Sequence, residues 1–199
     1  MNQMAVVGED VLCCAIGKRL VEDVLNWSLP MTEINTHGVK NFRRDLPRYA
    51  QIAMHSPLLC IADTDGQCPV ELVREWTPKH TPKGFLLRLA APEIESWILA
   101  DQAGVAEFFD TSPMKVSPSP EALSDPKTTM VNLAHGSKVK ILRTEMVANT
   151  GTRRPGTGYN LHLQRFVEMH WHPLKDATNS PSLHRAIRRL HEISHMALP

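Results

Sequence analysis

The segment that most restricts the fold is a short apolar run that leads directly into an acidic turn. Residues 57–62 read Pro-Leu-Leu-Cys-Ile-Ala and are followed at once by Asp63-Thr-Asp-Gly66. A short run that is apolar on both faces is typical of a central strand in a parallel sheet, where helices cover both faces. The sequence therefore predicts a buried strand with carboxylates at its carboxyl end.

Two further apolar runs and one short segment complete the predicted sheet. Residues 4–8 and 85–90 are apolar, and residues 33–36 are a candidate edge strand. The spacing of apolar side chains predicts helices at about 10–27, 39–54, 69–76 and 92–101. Strands that alternate with helices form a mainly parallel sheet. The predicted fold class is therefore α/β, with a mainly parallel sheet flanked by helices.

The chain divides by composition into three parts. Residues 1–110 hold the predicted strands and form the core, whereas residues 111–126 contain four prolines and are predicted to be an ordered Pro-rich loop or linker. Residues 127–199 are predicted to be a basic, partly helical C-terminal extension packed on the core, with helices at about 161–169 and 182–195. Residues 138–199 carry ten Lys and Arg against four acidic residues, and the first 137 carry 12 basic and 17 acidic residues. Such an asymmetry suits a metal centre beside a phosphate-binding surface, although random drift in charge produces it too.

The composition indicates in which cellular environment the protein is expected. The sequence is 42% hydrophobic and 22% charged, which is an ordinary globular mixture. It has no apolar run near the roughly 20 residues that cross a bilayer and no N-terminal secretion signal, so we expect a cytoplasmic protein without a membrane partner. The four cysteines show no CxxC spacing, which favours reduced thiols over a zinc ribbon or a disulfide framework.

Acidic residues follow each of the three main predicted strands. Ligands of open parallel sheets bind beyond the carboxyl ends of the strands. Asp63 and Asp65, two residues apart in extended chain, are expected to point the same way. Carboxylate oxygens are hard ligands that hold Mg²⁺ or Mn²⁺, and two such ions support phosphodiester chemistry. The candidate ligands are Glu9, Asp63, Asp65, Glu93 and Glu95.

Each of these motifs also has a purely structural interpretation. An Asp-x-Asp-Gly sequence is often a plain turn. Glu9 and Asp10 suit the N-terminus of a helix, and acidic residues after Pro92 are common in a first helical turn. The joint placement of these acids after successive strands favours the metal site, because converging carboxylates repel one another unless a cation lies between them.

Several segments together resemble the Toprim fold that is shared by primases, topoisomerases and nucleases of the overcoming-lysogenization-defect type. More narrowly, the chain looks like a Toprim-like family of small bacterial proteins that are often encoded beside ATPases in phage-defence islands. The segments span nearly the whole chain: Val7-Gly-Glu-Asp-Val-Leu12, Ile61-Ala-Asp-Thr-Asp-Gly66, Glu93-Ile-Glu-Ser-Trp-Ile-Leu-Ala-Asp101, Asp125-Pro-Lys127, Pro155-Gly-Thr-Gly-Tyr-Asn160 and Ser180-Pro-Ser-Leu183.

The resemblance implies both an activity and a set of roles. Glu9 would be the Toprim glutamate, a metal ligand or general acid/base, and Asp63 and Asp65 would hold a metal ion. Glu93 and Glu95 would serve a second metal site, with Glu95 among the catalytic residues. The implied protein is a Mg²⁺- or Mn²⁺-dependent nuclease, with DNA as the favoured substrate, that acts as a defence effector with an ATPase partner. The resemblance leaves open whether the protein forms a homo-oligomer. One departure from the family is that Gly8 precedes Glu9, which leaves open a non-catalytic Toprim-shaped subunit that regulates an ATPase.

Candidate nucleic-acid contacts lie in the C-terminal part. Arg153 and Arg154 precede a glycine-rich segment whose N–H groups could face phosphate oxygens, and Tyr159 could stack on a base. Lys127 and Lys175 occupy family positions and could neutralise transition-state charge. The alternatives are a structural turn that docks Tyr159 and ordinary surface lysines.

A rival signature lies at the C-terminus. His191-Glu-Ile-Ser-His195 fits the H-E-x-x-H pattern of zinc metalloproteases. A third ligand would have to come from His170 or His172, because only residues 196–199 follow. With ten histidines in the chain, a chance match is the better interpretation.

Overall fold

The structure, a computed structural model, describes residues 4–26, 32–149 and 153–194. Four parallel strands form one sheet in the order β2-β1-β3-β4, with β1 at Ala5–Gly8, β2 at Glu33–Asn35, β3 at Leu58–Asp63 and β4 at Phe85–Ala90. This confirms the predicted α/β class and all four strands. The arrangement is consistent with a Toprim-like α/β fold.

Helices cover both faces of the sheet. In the N-terminal half they are α1 at Val11–Leu25, α2 at Val39–Ile52, α3 at Pro69–Trp76, α4 at Glu95–Leu99 and α5 at Gln102–Phe108. The single helix predicted at 92–101 is wrong, because the chain forms α4 and α5 on either side of Asp101, whose carboxylate caps α5 by accepting the N–H of Gly104 at 2.9 Å. Trp27, the predicted end of the first helix, lies outside the described residues.

The C-terminal half is helical. It contains α6 at Pro126–His135, α7 at Lys140–Glu145, α8 at Tyr159–Met169 and α9 at Pro181–Ser194. The last two match the helices expected from the sequence, whereas α6 and α7 were not anticipated. The start of α6 carries a signal that predicts it, since Asp125 is a capping residue and Pro126 stands in the first turn.

The two faces of the sheet bury two separate clusters. One contains side chains of α2 and α3 packed on strand residues such as Leu58 and Leu87. The other joins α1 and the C-terminal helices, so Phe166 and Trp171 share a core with Leu59 and Ile61. The basic C-terminal part is therefore built onto one side of the sheet. None of the described helices is both long and apolar enough to span a membrane.

The Pro-rich segment is packed rather than free. It contains short 3-10 helices at Pro113–Lys115 and Pro120–Ala122, and Val116 is buried in the larger core. The carboxylate of Glu121 accepts hydrogen bonds from the hydroxyl of Ser180 at 2.5 Å and from the N–H and hydroxyl of Ser182 at 2.6 and 2.7 Å. Ser182 also accepts the indole N–H of Trp97 at 2.7 Å. This network fixes the segment between α4 and α9.

Candidate metal centre

The ends of β1 and β3 bring two acidic side chains together. Gly8 pairs with Ile61 in the sheet, so Glu9 is the first residue beyond β1 and Asp63 is the last residue of β3. The N–H of Asp63 donates to Oε2 of Glu9 at 3.3 Å. The carboxylate of Glu9 is therefore directed toward Asp63, even though Gly8 precedes rather than follows it.

Gly8 makes this placement possible through a close approach of α1. A Cβ atom at this position would lie 2.6 Å from both the backbone nitrogen and Sγ of Cys14 and 2.7 Å from the carbonyl oxygen of Asp10. Asp10 caps α1 by accepting the N–H of Cys13 at 2.8 Å. The turn from β1 into α1 thus has room only for glycine, and it presents Glu9 and Asp10 side by side.

Asp63 is the electrostatic centre of the cluster. Burial raises the pKa of Asp63 to about 9, with further contributions from the negative charges of Glu95, Glu9 and Asp10. Its Oδ1 atom is buried and has no hydrogen-bond partner within the described residues. Burial also raises the pKa of Glu9, although the N–H groups of Asp63 and Val39 oppose the rise. The site therefore contains buried carboxylate oxygens that lack hydrogen-bond donors among the described residues.

Glu95 supplies the third carboxylate from the first turn of α4. It is 1% exposed, and burial raises its pKa, an effect that Lys127 opposes. Tyr159 donates its hydroxyl to Oε1 of Glu95 at 3.0 Å. Oε2 of Glu95 is buried and has no partner among the residues that the structure covers. Two carboxylate oxygens, one on Asp63 and one on Glu95, thus remain unsatisfied in the same cluster.

Lys127 brings positive charge to these acids from the start of α6. Its ammonium group lies 3.6 Å from Oε1 of Glu95, and its backbone N–H donates to Oε2 of Glu93 at 2.9 Å. Burial alone would lower the pKa of Lys127, but the charges of Glu95, Glu93 and Asp63 outweigh it and the pKa is raised. Four of the five predicted acids, with Lys127, therefore belong to one electrostatically coupled cluster, called the acid cluster below: Glu9, Asp63, Glu93 and Glu95.

Asp65 occupies a different position from the one predicted. The extended chain ends at Asp63, and the next two residues turn under the loop after β4, with the N–H groups of Thr64 and Asp65 donating to the carbonyl of Pro92 at 3.2 and 3.0 Å. Asp65 is exposed and has a left-handed φ of 48°. The alternation of side chains along a strand therefore does not apply to it. It still lies close enough to Glu9 for its charge to raise the pKa of that residue.

The predicted nucleic-acid contacts do not form one surface. Tyr159 is only 3% exposed and its hydroxyl is hydrogen-bonded to Glu95. The prediction that its ring stacks on a base is therefore wrong, and the alternative of a structural turn that docks Tyr159 fits the structure. Arg153 and Arg154 are exposed, and Arg153 donates to the side chain of Asn132 at 3.0 Å. Lys175 is exposed beside a separate cavity of about 510 Å³ that Asp101 and His172 also line. Of these residues, Lys127 and the buried Tyr159 contact the acid cluster.

The H-E-x-x-H signature gains no support from the described part of α9. His191 and Glu192 are exposed there, and Glu192 pairs with Arg189 one turn away. His195 lies outside the described residues, and His170 and His172 are exposed after α8. Zinc binding by this signature stays a prediction without a structural argument.

The acid cluster fits a hard divalent cation by its chemistry more than by its present geometry. No group of three or more His, Cys, Asp or Glu side chains is arranged to hold an ion within residues 4–26, 32–149 and 153–194. The donors are nevertheless all carboxylate oxygens, which Mg²⁺ and Mn²⁺ prefer. Two of these oxygens are buried and have no hydrogen-bond partner among the described residues, and burial together with the neighbouring negative charges raises the pKa of Asp63.

Comparisons of the chain with protein-family models, curated proteins and solved structures found no match.

Proposed function

We propose that this protein is a metal-dependent phosphodiesterase that acts on nucleic acid. The observation that carries the proposal is the convergence of Glu9, Asp63 and Glu95 at the carboxyl edge of a parallel sheet, with unsatisfied oxygens on Asp63 and Glu95. Carboxylates that cannot be satisfied within the protein are costly to bury, and binding of a cation relieves that cost. The Toprim resemblance adds the expectation that the bond cleaved is a phosphodiester.

Each residue of the acid cluster has a role in this proposal. Asp63, Glu95 and Glu9 would hold Mg²⁺ or Mn²⁺, with Glu93 and Asp65 as further ligands. A bound ion of this kind lowers the pKa of coordinated water and neutralises negative charge on phosphate oxygens. Tyr159 holds the carboxylate of Glu95 in place through its hydroxyl. Lys127 places an ammonium group where a phosphate approaching the acids would meet positive charge.

A cleavage assay on labelled single- and double-stranded DNA and on RNA, with Mn²⁺ or Mg²⁺, tests the proposal. We expect cutting by the wild type and a loss of at least about a hundredfold in Asp63→Ala, because removal of a central ligand removes the metal-supplied rate. Glu107→Gln is the matched control, since Glu107 is an exposed carboxylate on α5 outside the acid cluster. Equal rates for the wild type and Asp63→Ala would refute the proposal.

The resemblance also supplies the biological setting that we propose. The protein would be a cytoplasmic defence effector that is held or activated by an ATPase, with DNA as the favoured substrate. If the isolated chain does not cut, the same assay is repeated with a candidate ATPase partner. Absence of cutting under both conditions would count against catalysis.

A second candidate function is a non-catalytic subunit that binds and regulates an ATPase. Lys127 favours it, because its ammonium group already neutralises part of the charge of Glu95 and Glu93 without a metal ion. Calorimetric titration with Mn²⁺ separates the two candidates. Saturable binding that disappears in Asp63→Asn supports the enzyme, and the absence of binding supports the regulatory subunit.

A further inference from the structure

A basic groove lies between α2 and α3, on the side of the sheet away from the C-terminal helices. It encloses about 700 Å³, and its floor includes Leu46, Pro47 and the buried Trp76. Five cationic side chains line it against a single carboxylate, that of Glu75. The cations are Lys40, Arg43, Arg44, Arg74 and Lys79. These cations belong to the first 137 residues, which carry more acidic than basic residues overall. The uneven charge along the sequence, with its basic C-terminal part, therefore did not predict them.

Three of these cations are available to a ligand. Arg43 pairs with Glu75, and its guanidinium lies 4.9 Å above the centre of the Trp76 ring. Arg44 pairs with Asp45 through two hydrogen bonds of 2.8 and 2.9 Å. The others are exposed and form no ion pair within the described part of the chain. These unpaired cations are Lys40, Arg74 and Lys79.

The groove begins beside the acid cluster. The backbone N–H of Val39, the first residue of α2, interacts with the carboxylate of Glu9, and Lys40 is the next residue. At a rise of about 1.5 Å per residue, Arg43 and Arg44 follow within about 6 Å along the helix. An anionic chain lying in the groove would therefore reach the carboxylates at its end.

We propose that the α2–α3 groove binds the sugar–phosphate backbone of a single nucleic-acid strand and leads it to the acid cluster. This rests on the proposed function for the role of the bound strand, whereas binding itself does not require catalysis. Several unpaired cations spaced along a groove suit a ligand that repeats its negative charge. Because Arg43 covers the ring of Trp76, the groove offers that ring to no base, and recognition through phosphates is independent of sequence.

Binding is measured by fluorescence anisotropy with a labelled 20-nucleotide single-stranded DNA and the matching RNA, in EDTA so that no cleavage occurs. The test variant is Lys40→Ala/Arg74→Ala/Lys79→Ala. We expect its affinity to fall at least about tenfold at low salt, and the slope of log affinity against log salt to fall by about 2, because each lost phosphate contact contributes about 0.7. The matched control replaces three exposed cations elsewhere, Lys115→Ala/Lys140→Ala/Arg165→Ala.

A charge-conserving variant, Lys40→Arg/Arg74→Lys/Lys79→Arg, guards against misfolding and is expected to bind like the wild type. Asp63→Asn should bind at least as well as the wild type even if it no longer cleaves, so failure of the proposed function is distinguishable from failure of the groove. The proposal is overturned if the wild type binds neither nucleic acid, or if the test and control triple variants lose affinity equally. It is also overturned if poly-glutamate binds in the groove and the nucleic acids do not.

Discussion

The sharpest prediction concerns Asp63→Asn, which should stabilise the protein when no metal is present. The ordinary pKa of Asp63 is 3.8, and burial with the charges of Glu95 and Glu9 raises it to about 9 in the folded state. Below pH 4 both folded and unfolded chains carry the proton, so the group imposes no cost. As the pH rises through the window from 4 to 9, the unfolded chain ionises first, and the wild type loses stability that an asparagine retains.

The magnitude follows from that window. Each unit of difference in pKa corresponds to about 1.4 kcal/mol, and about three of the units of the shift lie below pH 7, so the wild type would lose about 4 kcal/mol at that pH. Because Asp63 is partly exposed and water screens its charge, we expect about 2 kcal/mol. For a chain of 199 residues, this raises the Tm of Asp63→Asn by about 4 to 8 °C.

Thermal unfolding at pH 4.5, 6.0 and 7.5 in EDTA measures the pH dependence of the difference in stability, and the same scans in Mn²⁺ measure the effect of the metal ion. In EDTA the advantage of the asparagine variant should grow with pH, from about 0.5 kcal/mol at pH 4.5 to about 2 kcal/mol near pH 7. Saturating Mn²⁺ should stabilise the wild type by about 2.7 kcal/mol at a hundred times its Kd and leave the variant unchanged. Glu107→Gln should match the wild type throughout. A variant that is less stable than the wild type, or whose advantage does not depend on pH, would refute the electrostatic reasoning.

Three further predictions concern contacts at and near the acid cluster. Lys127→Ala should lower the free energy of unfolding in EDTA by about 1 kcal/mol, because the half-exposed ammonium no longer offsets the charge of Glu95. The same variant should bind Mn²⁺ more tightly in calorimetry, and weaker binding would show that Lys127 does not compete with the ion. Tyr159→Phe should cost about 1 to 2 kcal/mol in urea unfolding through the lost hydrogen bond to Glu95, and an unchanged midpoint would contradict that role. Glu121→Ala should cost about 2 to 3 kcal/mol in the same assay, since it leaves the donors of Ser182 unpaired, whereas Glu107→Gln should cost nothing measurable.

The local pattern of the chain was sufficient to place the sheet. The strands at Leu58–Asp63 and Phe85–Ala90 match the predicted bounds closely, because a strand buried on both faces must be apolar at nearly every position, and that is visible in the sequence. The sequence also predicted that the acids at the ends of the strands lie near one another. Parallel strands all finish at one edge, so the residues directly beyond them lie along the same side of the sheet.

The failures have an equally physical cause. Asp65 follows a strand but does not continue it, because the N–H groups of the turn are bound by the carbonyl of Pro92, which is distant in sequence. Two interpretations of Tyr159 were open from the sequence, a ring that stacks on a base and a ring docked by a structural turn. The second is correct, because the hydroxyl of Tyr159 donates to the buried Glu95, which is distant in sequence. The basic groove was not predicted because α2 and α3 are separated by β3 in the chain, and only folding places Arg74 and Lys79 beside the cations of α2.

What the sequence by itself determined is therefore the class of fold and the edge of the sheet at which carboxylates gather, since both follow from hydrophobic patterning along single segments. Tertiary structure alone decided which carboxylates are buried, which oxygens are left unsatisfied, and that Lys127 and Tyr159 reach them from α6 and α8. Burial and charge pairing depend on groups far apart in the chain, and only packing brings those groups within the few ångströms over which they act.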